Sequence, residues 1–186
     1  MTEQRDAVRS VLIITGGDIF IEQLSEDDLR ADYIIAADCG SEKALALGIT
    51  PDLLVGDFDS SSVPEKFNGI RTIVAPAEKN ETDTMLAIMH AESLGAEHIT
   101  ILGGTGGRID HTLSNIFMLE NLRLRGITAV ITDGRNRIRV AINETIALKR
   151  SSFKYFGILA LADSTVSISG CKYPLTGAKI QRALPY

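Results

Sequence analysis

Five short runs, each leading into Gly, Asp or Pro, constrain this chain more than any other feature. Val11–Thr15, Tyr33–Ala37, Leu53–Val55, Arg71–Val74 and His98–Leu102 have the length and composition of buried strands. Ser41–Leu47, Thr82–Leu94 and Asp110–Arg125 lie between or after them with helical spacing. In the second segment Met85, Ile88 and Met89 share a face that Ala91 and Leu94 extend. In the third, Leu113, Ile116, Phe117 and Leu124 do the same. Strands that alternate with helices predict parallel pairing through right-handed crossovers, and Thr128–Thr132 reads as one more such strand. The fold class expected is α/β, with a parallel sheet in the N-terminal domain.

After Asp133-Gly134 the pattern changes. Arg137–Ile142, Thr145–Lys149, Tyr155–Leu161 and Thr165–Ser169 read as short strands at hairpin spacing, with Asn143-Glu144 and Ala162-Asp163 as turns. Four strands close a poor core, so a small antiparallel unit is expected, leaning on the first domain or on another subunit. The expected domains are residues 1–134 and 135–186. Charge breaks near the same place. Residues 1–126 hold 21 acidic and 10 basic side chains, a balance of −11, and residues 127–186 hold 3 and 9, a balance of +6, which leaves −5 for the chain. The acidic part argues against a nucleic-acid partner. With 186 residues and 45% hydrophobic side chains, the chain has enough core to fold without a disulfide or structural metal. Cys39 and Cys171 lack zinc-ligand spacing, and the first apolar run, Val11–Ile14, is too short for a signal or a membrane span. A reducing cytoplasm is the expected location.

Chemistry-bearing residues gather where strands end, which is where open parallel sheets bind ligands. Gly16 and Gly17, before Asp18, let backbone amides approach a phosphate, although a plain tight turn explains them equally. Asp38 follows the second strand, ahead of Gly40 and Ser41, and satisfying turn amides is its bland role. Asp57 and Asp59, in Gly56-Asp57-Phe58-Asp59-Ser60, are two carboxylates whose repulsion a divalent cation such as Mg²⁺ relieves. Lys79-Asn80-Glu81-Thr82-Asp83 enters a helix. Thr82 or Asn80 caps it, and Asp83 either favours the helix dipole or completes the cation site. Gly103-Gly104-Thr105-Gly106-Gly107-Arg108-Ile109-Asp110-His111 is the most specific segment. Its glycines can wrap phosphate with amides, and Arg108 offers a two-pronged donor for phosphate oxygens. No Gly-Lys-Ser/Thr follows, so it is not a Walker A loop.

Ala37-Asp38-x-Gly40, the run Pro51 to Ser60, Lys79-x-x-Thr82-Asp83, and Gly106 to His111 with Asn115 resemble, in order and spacing, the thiamine pyrophosphokinase family. Ser169-Gly170 and Tyr173-Pro174-Leu175 resemble that family's C-terminal domain. The resemblance implies a Rossmann-like nucleotide domain followed by a β-sandwich. It also implies transfer of the pyrophosphoryl group of ATP to thiamine with Mg²⁺, giving AMP, in a homodimer with thiamine near the subunit interface. By the same resemblance Asp57, Asp59 and Asp83 are the metal ligands, helped by Asp38. Gly16, Gly17, Lys79, Thr82, Thr105, Gly106, Gly107, Arg108, His111 and Asn115 are expected to hold the nucleotide. Asp110 and His111 are the candidates for a general base. The family usually has Asp where this chain has Asn80, and usually continues into a Ser-Asn segment beyond the position of Tyr186. The loss of a carboxylate at Asn80 is expected to weaken metal or substrate binding, and the missing Ser-Asn segment implies either a trimmed chain or altered thiamine binding. Two other readings compete: a metal-dependent aspartyl phosphatase built on Asp57-Phe58-Asp59, and a non-catalytic nucleotide or thiamine binder.

Overall fold

A computed structural model describes residues 8–57, 64–74, 82–149 and 153–184. The chain divides into two compact units, Met1–Leu148 and Lys149–Tyr186.

The first unit is built on β1 (Ser10–Ile14), β2 (Tyr33–Ala37), β3 (Leu53–Gly56), β4 (Arg71–Val74), β5 (His98–Leu102), β6 (Thr128–Thr132) and β7 (Arg137–Arg139). They form one seven-stranded sheet in the order β4-β3-β2-β1-β5-β6-β7. All pairs are parallel except β6 with β7. The expected strands that became β1 to β6 fall within a residue of their observed ends. A parallel strand covered on both faces reads as an unbroken apolar run, and Leu12, Ile13, Ile14, Ile101 and Leu102 are fully buried.

Helices α1 (Glu26–Leu29), α2 (Gly40–Ala46), α3 (Asp83–Ser93) and α4 (Ile109–Leu124) complete the unit. One core joins Val11, Ile13, Leu53 and Ile101 to Ala87, Ile88 and Ala91 of α3 and to Leu119 and Leu122 of α4. The other joins Leu12, Ile14 and Leu54 to Ala44 of α2 and to Phe67. Two helix faces agree with expectation only in part, since Ile88 and Ala91 of α3 are buried and Ile116 of α4 packs on the core. Met85 and Met89 of α3, and Leu113, Phe117 and Leu124 of α4, are exposed, while Ala87, Ile88, Ala91, Asn115, Leu119 and Leu122 are buried. Alanine lets a helix lie close on the sheet, so the packed face of α3 is its small face and not its most apolar one.

Arg137–Ile142 was expected as a strand of the small antiparallel unit, and only Arg137–Arg139 of it is a strand. It is instead the last strand of the main sheet, Thr132 pairing with Arg137 and Val130 with Arg139. Its charged side chains suit an edge. The expected hairpin at Asn143-Glu144 does not form among the described residues, and Thr145–Lys149 and Tyr155–Leu161 are not strands there. Glu144 is held from within the first unit, by Arg123 of α4 at 2.9 Å and Arg139 of β7 at 3.1 Å. The second unit carries a two-stranded antiparallel ribbon, β8 (Ser164–Ile168) with β9 (Leu175–Ile180). Thr165–Ser169 was expected and Leu175–Ile180 was not.

Candidate active site

Strand order reverses at β1: β2 to β4 extend one way and β5 to β7 the other. The crevice at the carboxyl ends of β1 and β5 is therefore the favoured ligand position in this sheet. The two loops that leave those strands are locked together. The Thr15 hydroxyl donates to the carbonyls of Leu102 (3.1 Å) and Gly103 (2.6 Å), and the Asp18 amide donates to the Thr105 carbonyl at 3.1 Å. A Cβ on Gly17 would lie 2.0 Å from the Gly103 carbonyl oxygen, so only glycine fits. Gly106 has φ +91°, and a Cβ there would meet the Asp18 carboxylate at 2.4 Å. These glycines thus serve loop-to-loop packing, which the sequence alone did not separate from phosphate approach. Gly16 and Gly107 lie in the same two loops.

Asn115, on α4, is buried and donates from Nδ2 to the Gly104 carbonyl at 2.8 Å. It shapes the glycine loop from behind. Thr105 donates its hydroxyl to Asp133 at 2.9 Å. Arg108 is the residue before α4, and its guanidinium grips Asp110 with two bonds, Nε to Oδ1 at 3.1 Å and an η-nitrogen to Oδ2 at 2.5 Å. Both side chains are more than half exposed. The hydrogen bonds and charge of Arg108 hold the Asp110 carboxyl below the usual carboxylate range, which makes it a weak base at neutral pH. The two-pronged grip that suits a phosphate is thus already shaped on a carboxylate. His111 is exposed in the first turn of α4.

Asp38 and Asp57 follow the adjacent strands β2 and β3, whose ends are in register at Ala37 and Val55. Asp38 has φ +49°, and its amide donates to the Val55 carbonyl at 2.8 Å. The left-handed region is uncommon for a residue other than glycine, and Asp is among the few that adopt it. Thr82 caps α3 by accepting from the Met85 amide at 3.2 Å, and Asp83 follows in the first turn. Because α3 leads into the parallel strand β5, its start lies at the carboxyl edge of the sheet, the edge that carries Asp38 and Asp57. Lys79 and Asp59, with Asn80, lie outside the described residues. Among the described residues no group of three or more His, Cys, Asp or Glu side chains is arranged to hold a metal ion.

The family model for the thiamin pyrophosphokinase catalytic domain matches residues 28–131, more than half of the chain. The chain belongs to the thiamine pyrophosphokinase family. Thiamine pyrophosphokinase of Bacillus subtilis (strain 168) is 31% identical over 153 residues, covering 78% of this chain and 72% of that protein. A crystal structure of thiamine pyrophosphokinase from Bacillus subtilis superposes with a TM-score of 0.81 at 26% identity, covering 95% of this chain and 86% of that one. A thiamin pyrophosphokinase family protein from Enterococcus faecalis gives 0.77 at 31% identity, covering 96% and 86%. A yeast thiamin pyrophosphokinase, at 17% identity and a TM-score of 0.54, shares the fold. The α/β class and the family expected from the sequence both stand.

Sequence reasoning missed Asp133, which is 3% exposed and joins three loops. Its carboxylate accepts from Thr105, from the amides of Arg135 (2.7 Å) and Asn136 (2.6 Å), and from the Asn136 side chain (2.8 Å). Its carbonyl accepts from the Phe20 amide at 2.7 Å. Burial works to raise its pKa, but these hydrogen bonds outweigh burial and hold it below the usual carboxylate range. Asp133-Gly134 gave a signal, an Asp-Gly turn whose side chain caps the amides that follow. Within the sequence that signal said only "turn".

Proposed function

We propose that this member of the thiamine pyrophosphokinase family transfers the pyrophosphoryl group of ATP to thiamine, giving thiamine diphosphate and AMP. The observation that carries this reading is the interlocked pair of loops at the β1–β5 reversal, ending in Arg108, with Asp38, Asp57 and the start of α3 on the same edge of the sheet. The thiamine hydroxyl oxygen forms a bond to the β-phosphorus and gives up its proton to water, the bond from that phosphorus to the α,β-bridging oxygen breaks, and AMP leaves with that oxygen. Such transfers depend mainly on positioning and charge neutralisation. The glycine loop supplies amides to phosphate oxygens, and Arg108 exchanges Asp110 for phosphate. Thr82 fixes the start of α3, and Thr105 and Asn115 hold the loop in place.

Oxygen donors at this edge suit a hard cation. Asp57 and Asp83, with Asp59 from the sequence motif, would hold Mg²⁺, helped by Asp38. The ion, when bound, neutralises charge on the triphosphate. Lys79 and His111 belong to the nucleotide side of this reading.

A homodimer accompanies the reading. What supports it is exposed apolar surface in the second unit, where Tyr155 is 81% and Leu159 88% exposed and Phe156 is also open. Thiamine would then lie near that contact. No helix among the described residues is long and apolar enough to cross a membrane, and a cytoplasmic location fits the substrates.

Incubation with ATP, thiamine and Mg²⁺ tests the activity. AMP and thiamine diphosphate should form in equal amounts. Phosphate release from simple monoesters without AMP would favour the phosphatase reading, and binding without turnover would favour a non-catalytic relative.

A further inference from the structure

At Asn68-Gly69 and at Asp133-Gly134 a side-chain carbonyl precedes a glycine, and the structure treats the two turns oppositely. Asp133 is 3% exposed, its carboxylate accepts from the Arg135 and Asn136 amides, and the Gly134 amide donates to the Thr132 hydroxyl at 3.3 Å. Every group there is held. At Asn68 the reverse is true. Glu65–Phe67 is one turn of 3-10 helix, and the exposed pair Asn68 and Gly69 follows it. The Ile70 amide closes this turn on the Phe67 carbonyl at 3.1 Å. Phe67 and Ile70 anchor its ends in the core that holds Ala44 of α2, so only the middle faces water. Among the described residues neither the Asn68 side-chain amide nor the Gly69 N–H has a hydrogen-bond partner. Nothing lies within 4 Å of where a Cβ on Gly69 would stand, so the Gly69 nitrogen is uncrowded as well as unbonded.

A bond between the Gly69 nitrogen and Cγ of Asn68 closes a five-membered ring. Hydroxide takes the Gly69 amide proton, the nitrogen bonds to Cγ, the Cγ–Nδ2 bond breaks, and Nδ2 leaves as ammonia with a proton from water. Water then opens the ring at one of its two carbonyls. One opening gives aspartate, and the other gives isoaspartate, whose main chain runs through Cβ. The balance is one water in and one ammonia out, with no oxidant or reductant. The folded turn delays the first step. Asn68 has ψ +127°, which turns the Gly69 nitrogen away from Cγ. Ring closure needs rotation about the Asn68 Cα–C bond, and that rotation releases the Ile70–Phe67 hydrogen bond. Local opening of an exposed turn lies at the low end of a protein's opening energies. The fold therefore slows the reaction and does not block it.

We propose that Asn68 is a site of spontaneous modification, where the side-chain amide is lost through attack by the Gly69 nitrogen and isoaspartate forms in the turn between β3 and β4. The other asparagines lack this combination. Asn115 and Asn121 lie within α4, Asn136 donates its side chain to Asp133, and bulkier residues follow Asn80 and Asn143. The change adds a negative charge and one main-chain carbon just ahead of β4, the outer strand that pairs only with β3. This inference is independent of the proposed reaction.

Incubation of the full chain in mildly alkaline buffer tests this, read by tryptic mass mapping and by methyl labelling with a protein isoaspartyl methyltransferase. The peptide Phe67–Arg71 should gain the mass difference between OH and NH₂ and should carry methyl label, before any other asparagine peptide changes. In the same chain unfolded in guanidinium chloride the conversion should run about 2- to 10-fold faster, the factor for releasing one hydrogen bond. Asn68→Gln keeps an exposed amide but needs a six-membered ring, so it should fold normally and lose the label. A Phe67–Arg71 peptide that stays intact in the folded chain while the unfolded chain converts would overturn the site. So would conversion to aspartate without isoaspartate label, or label that persists in Asn68→Gln.

Discussion

Residues Met1–Leu148 bury a seven-stranded sheet from both faces, whereas in Lys149–Tyr186 only Ile180 is buried among the described residues. The first unit holds its loops by contacts that reach across the sheet, Thr15 to Gly103 and Thr105 to Asp133 among them. The second has one ribbon with a register shift between Val166 and Ile168. Such a unit has too little apolar surface of its own to hold itself together. The proposed nucleotide chemistry thus rests on the unit that buries its own core. The second unit leaves Tyr155, Phe156 and Leu159 exposed, the surface on which the proposed homodimer rests.

The sharpest way to break this comparison is to empty one core position in each unit. Leu54→Ala, at the centre of the first unit, should cost about 2–5 kcal/mol in chemical denaturation. Ile168→Ala, on the half-buried side of the ribbon, should cost less than about 1 kcal/mol. Equal losses would show that the second unit is as well packed as the first. Next in size is Asp57→Ala, which should lower turnover on the order of 100-fold with the melting temperature kept or raised, as for loss of a charge-stabilising group. Near-normal activity across a Mg²⁺ titration would remove Asp57 from the metal site.

A smaller effect is expected at Arg108. Arg108→Lys keeps the charge and loses one of two charge-assisted bonds, about 1.5 kcal/mol, so ATP affinity or turnover should fall about tenfold. Unchanged kinetics would make Arg108 a surface residue that only pairs with Asp110. The smallest effect at neutral pH comes from Asp28 and Asp133. Burial works against the charge of Asp28, yet hydrogen bonds from Ser25 and the Arg137 ion pair hold its pKa low, as for Asp133. A depressed carboxyl stabilises the fold fully above its unfolded value, 3.8, and that stability is lost as pH falls through the lower folded value. Denaturation midpoints should therefore be flat from neutral pH down to about pH 5 on this account and fall below about pH 4. Asp133→Asn should flatten that acid limb. A limb with the same slope in that variant would show that Asp133 does not carry it.

Much of the first unit was legible because fully buried parallel strands leave unbroken apolar runs such as Val11-Leu12-Ile13-Ile14. The glycine loop was legible because few sequences place four glycines in five positions before Arg108. Helix faces were less so. Met85 and Met89 outweigh Ala87 and Ala91 in any count of apolar residues, yet packing distance favours the alanines. The β6–β7 edge was misread because Arg137–Arg139 alternates like a hairpin strand, and only its partner Val130–Thr132 decides which sheet it joins. The role of Asp133 is written in contacts with Phe20 and Thr105, distant in sequence, which no local pattern displays.

In the proposed reaction one pyrophosphoryl group moves intact. ATP labelled at its β-phosphorus and followed with thiamine and Mg²⁺ tests it most directly. All label leaving ATP should be found in thiamine diphosphate, with one unlabelled AMP for each product formed. Labelled ADP that builds up alongside thiamine monophosphate, or labelled free pyrophosphate with no thiamine ester, would contradict it.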